Sequence, residues 1–585
     1  MLNKVITIPT EETKATPWAN ALKFGDLQNR VTDPLDADIY KTKIIDIRKQ
    51  MGELARASTE PTVVEFGTSG WRGRIGEDFT LHNVRKVTRA IIDTMHASEF
   101  LAANGYSSFA EAQEHGIVVF RDNRYMGDEF IEAALAELHA AGIKTYSAGE
   151  CSTGVGSAVV TELGAAGSLN FTPSHNPMDY AGLKFNPADG GPAGSEITKL
   201  IQDRANEYMQ AADFRPAEKI DVTLNEEIFP VYIYLDFLQK SRIIDLNEIK
   251  KLLLANKDQI TIIIDNMHGS SRGVFETILG KDIISQLDIR FQNTETDYSF
   301  HGVKPEPSAA NQKPLIAELQ KSAKPLTLAV SLDPDADRIR FADADLDIDM
   351  NMFSAIALDY AIKQGLSQGV ITSVASSGFA ASIARQNDLP VTTTAVGFKN
   401  FRPAISQQQA AVAFEESDGI SFIGHTLEKD GIIGFLVALS AMLESGKNLS
   451  ELYHELQEKY GYYYPGKSGR TIEGISIIEW QKFRQDVIEN IKASYQIGDT
   501  IMLNGEAKKI REISLADGIK FTFEDDSWIL LRSSGTETKF RYYYETTGQG
   551  NDKILPEYEK AAGEILERAL TSGAGTHHLS DAGAP

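Results

Sequence analysis

The sequence predicts an α/β protein of several domains with largely parallel sheets, followed by a smaller α+β domain. Three observations carry this. Short apolar runs alternate with amphipathic helical stripes over most of the chain. Three of the runs end in an acidic residue at the start of a polar loop: Ile117–Phe120 into Arg121-Asp122, Ile262–Ile264 into Asp265, and Leu326–Leu332 into Asp333. Beyond Gly446-Lys447 the rhythm changes to closely spaced short strands. A length of 585 residues allows about three or four domains.

In order along the chain, residues 1–57 carry Pro9, Pro17 and Pro34 with weak periodicity. They read as an extension wrapped on the body or partly disordered. Val84, Val87, Ile91 and Met95 recur at helical spacing, and Ile131, Leu135 and Leu138 mark the next helix, with Gly142 placed to end it. Gly167–Phe171 reads as a strand. The apolar run Gly431–Leu443 is too short to span a bilayer, which takes about 20 residues, and reads as a buried helix. Ile501–Leu503, Phe521–Phe523, Trp528–Leu531 and Phe540–Tyr544 are short strands, followed by a helix from about Pro556 to Leu570. The small, polar residues after Thr571 read as a frayed tail.

Acidic residues outnumber basic ones 82 to 58, a formal charge of −24. This argues against nucleic acid or an anionic membrane as the main partner, while a few cations in a cleft still suit a small anionic substrate. The single cysteine, Cys151, permits no internal disulfide and sits among small residues, as a buried thiol would. The start of the chain shows no secretory apolar core, so a cytoplasmic protein is expected. No pattern specifies an oligomeric state.

Five loops carry chemistry. Phe171-Thr172-Pro173-Ser174-His175-Asn176-Pro177 is a proline-stiffened turn able to hold a hydroxyl at a strand end. In Asp333-Pro334-Asp335-Ala336-Asp337-Arg338, carboxylates at alternate positions converge if the backbone is extended or curled, and three hard oxygens suit Mg²⁺. A calcium loop is excluded: Arg338 and Ala344 stand where the EF-hand needs Gly and Glu. A solvated acidic turn is the competing reading there, and the favoured one for Asp343, Asp345, Asp347 and Asp349. Arg532-Ser533-Ser534-Gly535-Thr536-Glu537 combines an Arg fork, hydroxyls and a glycine, as a phosphate cradle does. Gly67-Thr68-Ser69-Gly70-Trp71-Arg72-Gly73 is glycine-rich but lacks the Lys-Ser/Thr of a P-loop. Glu415-Glu416-Ser417-Asp418-Gly419 either reads sugar hydroxyls or is a polar loop.

Together and in this order the five loops resemble the motifs of the α-D-phosphohexomutase superfamily, over about residues 60 to 572. The resemblance implies four domains around a central cleft, three similar mixed α/β domains and a smaller C-terminal α+β domain. The expected boundaries are residues 1–57 (extension), 58–212, 213–324, 325–447, 448–572 and 573–585 (tail). It implies a phosphoserine at Ser174, with Asp333, Asp335 and Asp337 holding Mg²⁺ together with a phosphoserine oxygen. Glu415 and Ser417 match the sugar-reading pair, and Arg532, Ser534, Gly535 and Thr536 the phosphate site. Arg72, His175, Lys184 and Lys399 match positions near the transferred group, the last three as candidates for the general base. Phe414, Asp418, Asn400, Ser533 and Thr538 depart from the usual motifs. The implied activity is that of a phosphoglucomutase, with glucose 1,6-bisphosphate as intermediate and activator and Mg²⁺ as cofactor. The Glu415-Glu416-Ser417 form and Gly190-Gly191-Pro192-Ala193 favour that branch. His425–Ile432 resembles enzymes that also take mannose phosphates, which makes phosphomannomutase or dual activity the alternative. A non-catalytic sugar-phosphate-binding paralogue is the reading from another class.

Overall fold

The computed structural model describes residues 16–31, 33–67, 70–535, 538–571 and 579–581. Their strands form four sheets. The first has at its centre the parallel strands Gly167–Phe171, Ile117–Arg121 and Thr145–Glu150, with Tyr180–Pro187 and Gly70–Arg74 added antiparallel on one side. The second holds Leu326–Leu332, Ile260–Asp265 and Asp288–Gln292 in parallel, with Ile339–Ala342 antiparallel. The third holds Val391–Thr394, Gly369–Ser373 and Ala410–Glu415 in parallel, with Gly419–Phe422 antiparallel. Strands such as Ile260–Asp265 and Leu326–Leu332 are buried along their whole length, because helices cover both faces of a parallel sheet; hence the continuous apolar runs in the sequence.

One device recurs in all three sheets. A parallel strand ends, a short polar loop turns, and an antiparallel strand returns beside it. Gly167–Phe171 turns through the Ser174 loop into Tyr180–Pro187, Leu326–Leu332 through the Asp333–Arg338 loop into Ile339–Ala342, and Ala410–Glu415 through Glu416–Asp418 into Gly419–Phe422. Each loop holds one non-glycine residue at positive φ: Ser174 at 53°, Ala336 at 52° and Asp418 at 67°. The three chemistry-bearing loops thus occupy equivalent places, at the carboxyl ends of parallel strands.

The fourth sheet is antiparallel throughout, from Thr500–Leu503 at one side to Leu579–Asp581 at the other, with Trp528–Ser533, Lys539–Thr547 and Tyr463–Ile472 in its middle. Helices Ile477–Ser494 and Leu555–Thr571 pack their apolar residues against it. The helix Gly431–Ser445 is buried along nearly its whole length, as its composition predicts, and no single helix among the described residues is long and apolar enough to cross a membrane.

Two readings are decided. Residues 17–57 are not partly disordered but an extension wrapped on the body, as two helices, Pro17–Arg30 and Pro34–Ala57. Pro17 and Pro34 open them at the first turn behind the caps Thr16 and Asp33, where a missing N–H costs nothing. Trp18 is wholly buried and its Nε1 donates to the Ile75 carbonyl at 2.8 Å. Residues 1–15, Pro9 among them, lie outside the described residues, as do 573–578 and 582–585 of the tail. The acidic stretch after Ala342 is not a solvated turn either. Asp343 is fully buried and accepts from the Leu346 and Ser450 amides, Asp349 caps the helix Met350–Lys363, and Asp347 pairs with Arg340. Only Asp345 is exposed.

The fourth sheet is docked on the third through a buried carboxylate. Glu545 accepts from the Ser377 hydroxyl, the Gly378 amide (2.9 Å) and Trp528 Nε1 (2.9 Å). Trp528, Leu530 and Tyr543 pack on Val374 and Ala375 around it.

Candidate active site

Ser174 is held by a chain of groups from three segments. The Thr172 hydroxyl accepts from the Ser174 amide (2.8 Å) and donates to Asp122 Oδ2 (2.6 Å). Arg124 donates through Nη1 to the Pro177 carbonyl (2.8 Å) and through Nη2 to the Ser174 carbonyl. These contacts keep a serine in left-handed backbone, a strain that persists only where surrounding structure enforces it. Burial pushes the Asp122 carboxyl up to about 7, with the Arg124 cation opposing. Sequence reading missed Asp122 and Arg124; the signal was the polar Arg121-Asp122-Asn123-Arg124 run at a strand end. The Ser174 hydroxyl is buried rather than held out to solvent, and donates to Asp333 Oδ2 at 2.8 Å.

Asp333, Asp335 and Asp337 do converge: one oxygen from each lies within 4.8 Å of the others, all three buried. The positive φ of Ala336 curls the loop that brings them together. Lys184 Nζ stands 2.7 Å from Asp335 Oδ2 and 3.2 Å from Asp337 Oδ2, and Lys429 Nζ 3.2 Å from Asp337 Oδ2. Thr153 donates to Asp335 Oδ2 at 2.8 Å. Burial would push all three carboxyls up. For Asp335, Lys184 and the Thr153 hydrogen bond more than offset it, and for Asp337 Lys429, Lys184 and Arg338 do, which holds both below the usual range, whereas Asp333, beside two other carboxylates, is driven well above. Asp335 Oδ1 and Asp337 Oδ1 are buried with no hydrogen-bond partner among the described residues. Buried carboxylate oxygens left without a donor, in an all-oxygen set, fit a hard divalent cation.

The cation candidates separate. Lys184 is locked between Asp335 and Asp337, and burial, which would lower its pKa, is outweighed so that it stays charged. Burial lowers Lys399. His175 Nδ1 lies 3.4 Å from Ser174 Oγ, and Nε2 3.9 Å from Glu306 Oε1. Burial and the Arg338, Arg72 and Lys304 cations push its pKa well below the ordinary value, so the imidazole is neutral. Arg72 donates from Nη1 to Asn176 Oδ1 at 2.9 Å, bracing the serine turn. Thr68 and Ser69 of the same glycine-rich loop lie outside the described residues.

The Glu415–Gly419 loop joins this cluster. Arg338 bridges in backbone register to Gly419, and the Ile339 amide donates to the Asp418 carbonyl at 2.9 Å. Glu415 accepts from the Gly397 amide at 2.7 Å, which sets the Phe398–Asn400 turn and Lys399 beside it. Burial pushes Glu415 up to about 7, with Lys429 opposing and Glu416 reinforcing. Glu416 accepts from the Ser373 hydroxyl at 2.9 Å; Ser417 is half-buried. Arg532 donates to Asp517 Oδ2 at 2.6 Å, and the same oxygen accepts from the Val396 amide at 3.2 Å, tying the Arg532–Gly535 stretch to the Lys399 turn. The Ser534 carbonyl accepts from Trp480 Nε1 (2.9 Å) and Arg484 Nη1 (3.2 Å), which positions Gly535. Thr536 lies outside the described residues. Thr153 and Arg484 join the cluster with no local pattern to mark them, whereas Lys429 lies in the His425–Ile432 stretch that the sequence had singled out without giving it a role.

The chain matches family models described as phosphoglucomutase/phosphomannomutase, alpha/beta/alpha domain I over residues 63–212, domain II over 233–346 and domain III over 349–460. It is 26% identical over 508 residues to a phosphoglucomutase/phosphomannomutase of Thermococcus kodakarensis, covering 86% of this chain and 99% of that protein. It is 25% identical over 485 residues to a phosphoglucosamine/phosphogalactosamine mutase of Sulfurisphaera tokodaii, covering 82% and 94%. The fold is shared with the crystal structure of the Paramecium phosphoprotein parafusin, a phosphoglucomutase, in its open form: TM-score 0.67 at 20% identity, over 89% of this chain and 97% of that one. With all three domain models matched in order, and the Ser174, Asp333–Arg338 and Glu416–Asp418 loops at equivalent strand ends, the chain belongs to the phosphoglucomutase/phosphomannomutase family of α-D-phosphohexomutases.

Proposed function

We propose that this phosphohexomutase is a phosphoglucomutase, interconverting glucose 1-phosphate and glucose 6-phosphate through a phosphorylated Ser174 and bound glucose 1,6-bisphosphate. The observation that carries the reading is the Ser174 hydroxyl, forced into left-handed backbone and hydrogen-bonded at 2.8 Å to a carboxylate of the buried triad. Asp333, Asp335 and Asp337, with an oxygen of the phosphoserine, would hold Mg²⁺. Bound there, Mg²⁺ supplies positive charge to the oxygens of the transferring phosphoryl group.

The chain's own residues do the rest. Thr172 and Arg124 hold the serine turn, and Arg72 and Arg338 add cationic charge around it. His175, neutral and next to Ser174 Oγ, takes the proton of the attacking sugar hydroxyl at Nδ1. The phosphorus–oxygen bond to Ser174 breaks as the bond to the sugar O6 forms, and the proton returns to Ser174 Oγ. The second half repeats the step in reverse, from O1 of the bisphosphate to Ser174, after the sugar has turned over. Glu415 and Ser417 hydrogen-bond the sugar hydroxyls in either orientation, while Arg532, Ser534, Gly535 and Thr536 grip the phosphate that is not being transferred. Docking of the fourth sheet through Glu545 closes that grip over the third and limits water at the phosphoserine.

The relatives carry glucose, mannose and glucosamine in their names, so the substrate series is the test. Purified protein is assayed with Mg²⁺ and catalytic glucose 1,6-bisphosphate on the 1-phosphates of glucose, mannose and glucosamine. A kcat/KM at least about tenfold higher for glucose, roughly 1.4 kcal/mol at the transition state, is expected. Comparable rates with mannose would make it a dual enzyme, and a preference for glucosamine would overturn the assignment.

A further inference from the structure

Away from the carboxylate triad, donors of a different kind converge. His268 follows the strand Ile260–Asp265, and Glu295 and His301 lie in the loop after Asp288–Gln292. One nitrogen from each imidazole and one Glu295 carboxylate oxygen lie within 4.8 Å of one another. Glu295 Oε1 is 3.3 Å from His301 Nε2 and 3.7 Å from His268 Nδ1, and the two rings are 4.8 Å apart between centroids.

The same loop supplies oxygens to both rings. His268 Nδ1 lies 3.1 Å from the Glu295 carbonyl, and His301 Nδ1 faces Asp297 Oδ2 at 3.6 Å. Each imidazole thus has an oxygen of this loop facing Nδ1, and His301 turns Nε2 to Glu295 Oε1. Asp297 is fixed in turn by the Ser299 and His301 amides. Beside the cluster, a cavity of about 280 Å³ lined by Lys41, Arg48, Asp297 and His301 leaves room for water or an anion as a further ligand.

We propose that His268, Glu295 and His301 form a second cation site, for a divalent transition metal of the Zn²⁺ class. Two imidazoles and one carboxylate suit Zn²⁺ or Co²⁺, whereas Mg²⁺ favours the all-oxygen triad. The site would brace the serine turn from behind. Phe300, next to His301, lies under the Arg124 guanidinium at 4.6 Å, and Arg124 holds the Ser174 carbonyl. On the other side the His268 carbonyl accepts from Asn123 at 2.6 Å, one residue from Arg124. Both histidines thus sit one step from the groups that support Ser174.

The test is the zinc content of the purified full chain after exposure to Zn²⁺ with Mg²⁺ in large excess, so that the triad does not compete, followed by removal of free metal. One zinc per chain is expected, lost in His301→Gln and in Glu295→Gln. Both side chains are about half-exposed, so these variants keep the core. Co²⁺ in place of Zn²⁺ gives a second readout: visible absorption from a nitrogen-containing site of low coordination number, absent in His301→Gln. No retained zinc in the unaltered protein, or as much zinc in either variant as in the unaltered protein, overturns the proposal.

Discussion

Lys184 tests the electrostatics of the triad. Lys184→Met keeps the aliphatic stem and removes the ammonium that stands 2.7 Å from Asp335 and 3.2 Å from Asp337. Lysine and both aspartates are at most 3% exposed, so water cannot replace the lost partner. Breaking a buried ion pair from one side costs about 3–5 kcal/mol. Lys429 still neutralises Asp337 from 3.2 Å, which leaves Asp335 as the uncompensated charge and puts the loss at the lower end, about 3 kcal/mol. A divalent cation on the triad restores that charge. Urea unfolding with and without Mg²⁺ measures both effects. Binding at a hundred times Kd stabilises the unaltered protein by about 2.7 kcal/mol. The Mg²⁺ increment in Lys184→Met should exceed this, by roughly what the variant lost. A variant within about 1 kcal/mol of the unaltered protein without Mg²⁺, or equal increments in both, would refute the reasoning.

Four other outcomes follow from the same structure. Ser174→Ala should abolish turnover and phosphate incorporation while costing only about 1 kcal/mol of stability for the lost hydrogen bond to Asp333; residual turnover near the unaltered level would remove Ser174 from the mechanism. Glu415, raised from 4.5 to about 7, contributes stability that is complete below its unfolded value and is lost as pH climbs through about 7, roughly 3 kcal/mol in all. Glu415→Gln should therefore gain on the unaltered protein between pH 5 and pH 8, and parallel stability–pH curves would disprove the shift. Trp18→Ala should destabilise by about 3–5 kcal/mol, as for a core aromatic; a loss under 1 kcal/mol would mean that the N-terminal helices are peripheral. Cys151, 3% exposed and with its thiol pushed up by burial, should resist alkylation in the native protein, and rapid labelling would contradict that burial.

Much of the architecture was legible because its signals are local. A strand covered on both faces must be apolar throughout, so Leu326–Leu332 was read with its observed bounds. A proline-flanked turn betrays itself within seven residues, so the Ser174 loop was found. Where a local signal has two meanings the sequence left the choice open or misled. Weak periodicity and two prolines left residues 17–57 between a wrapped extension and partial disorder; Pro17 and Pro34 start helices, and only the burial of Trp18 decides between the two. Asp343 and Asp345 look alike in sequence; one is buried against the Ser450 amide and the other is exposed.

The sequence by itself determined the fold class, the serine and carboxylate loops and, through their order, the family, because each is written in consecutive residues. Tertiary structure alone decided how those loops act on one another. Ser174 meets Asp333 across 159 residues, Lys184 meets Asp335 across 151, and Lys429, Asp122 and Arg124 come in from still other segments. Which carboxylate is charged, which lysine is locked and which imidazole is neutral depend on burial and on distances of a few ångströms between such segments. Coulomb and desolvation energies are steep in both, and neither is encoded in residue spacing along the chain.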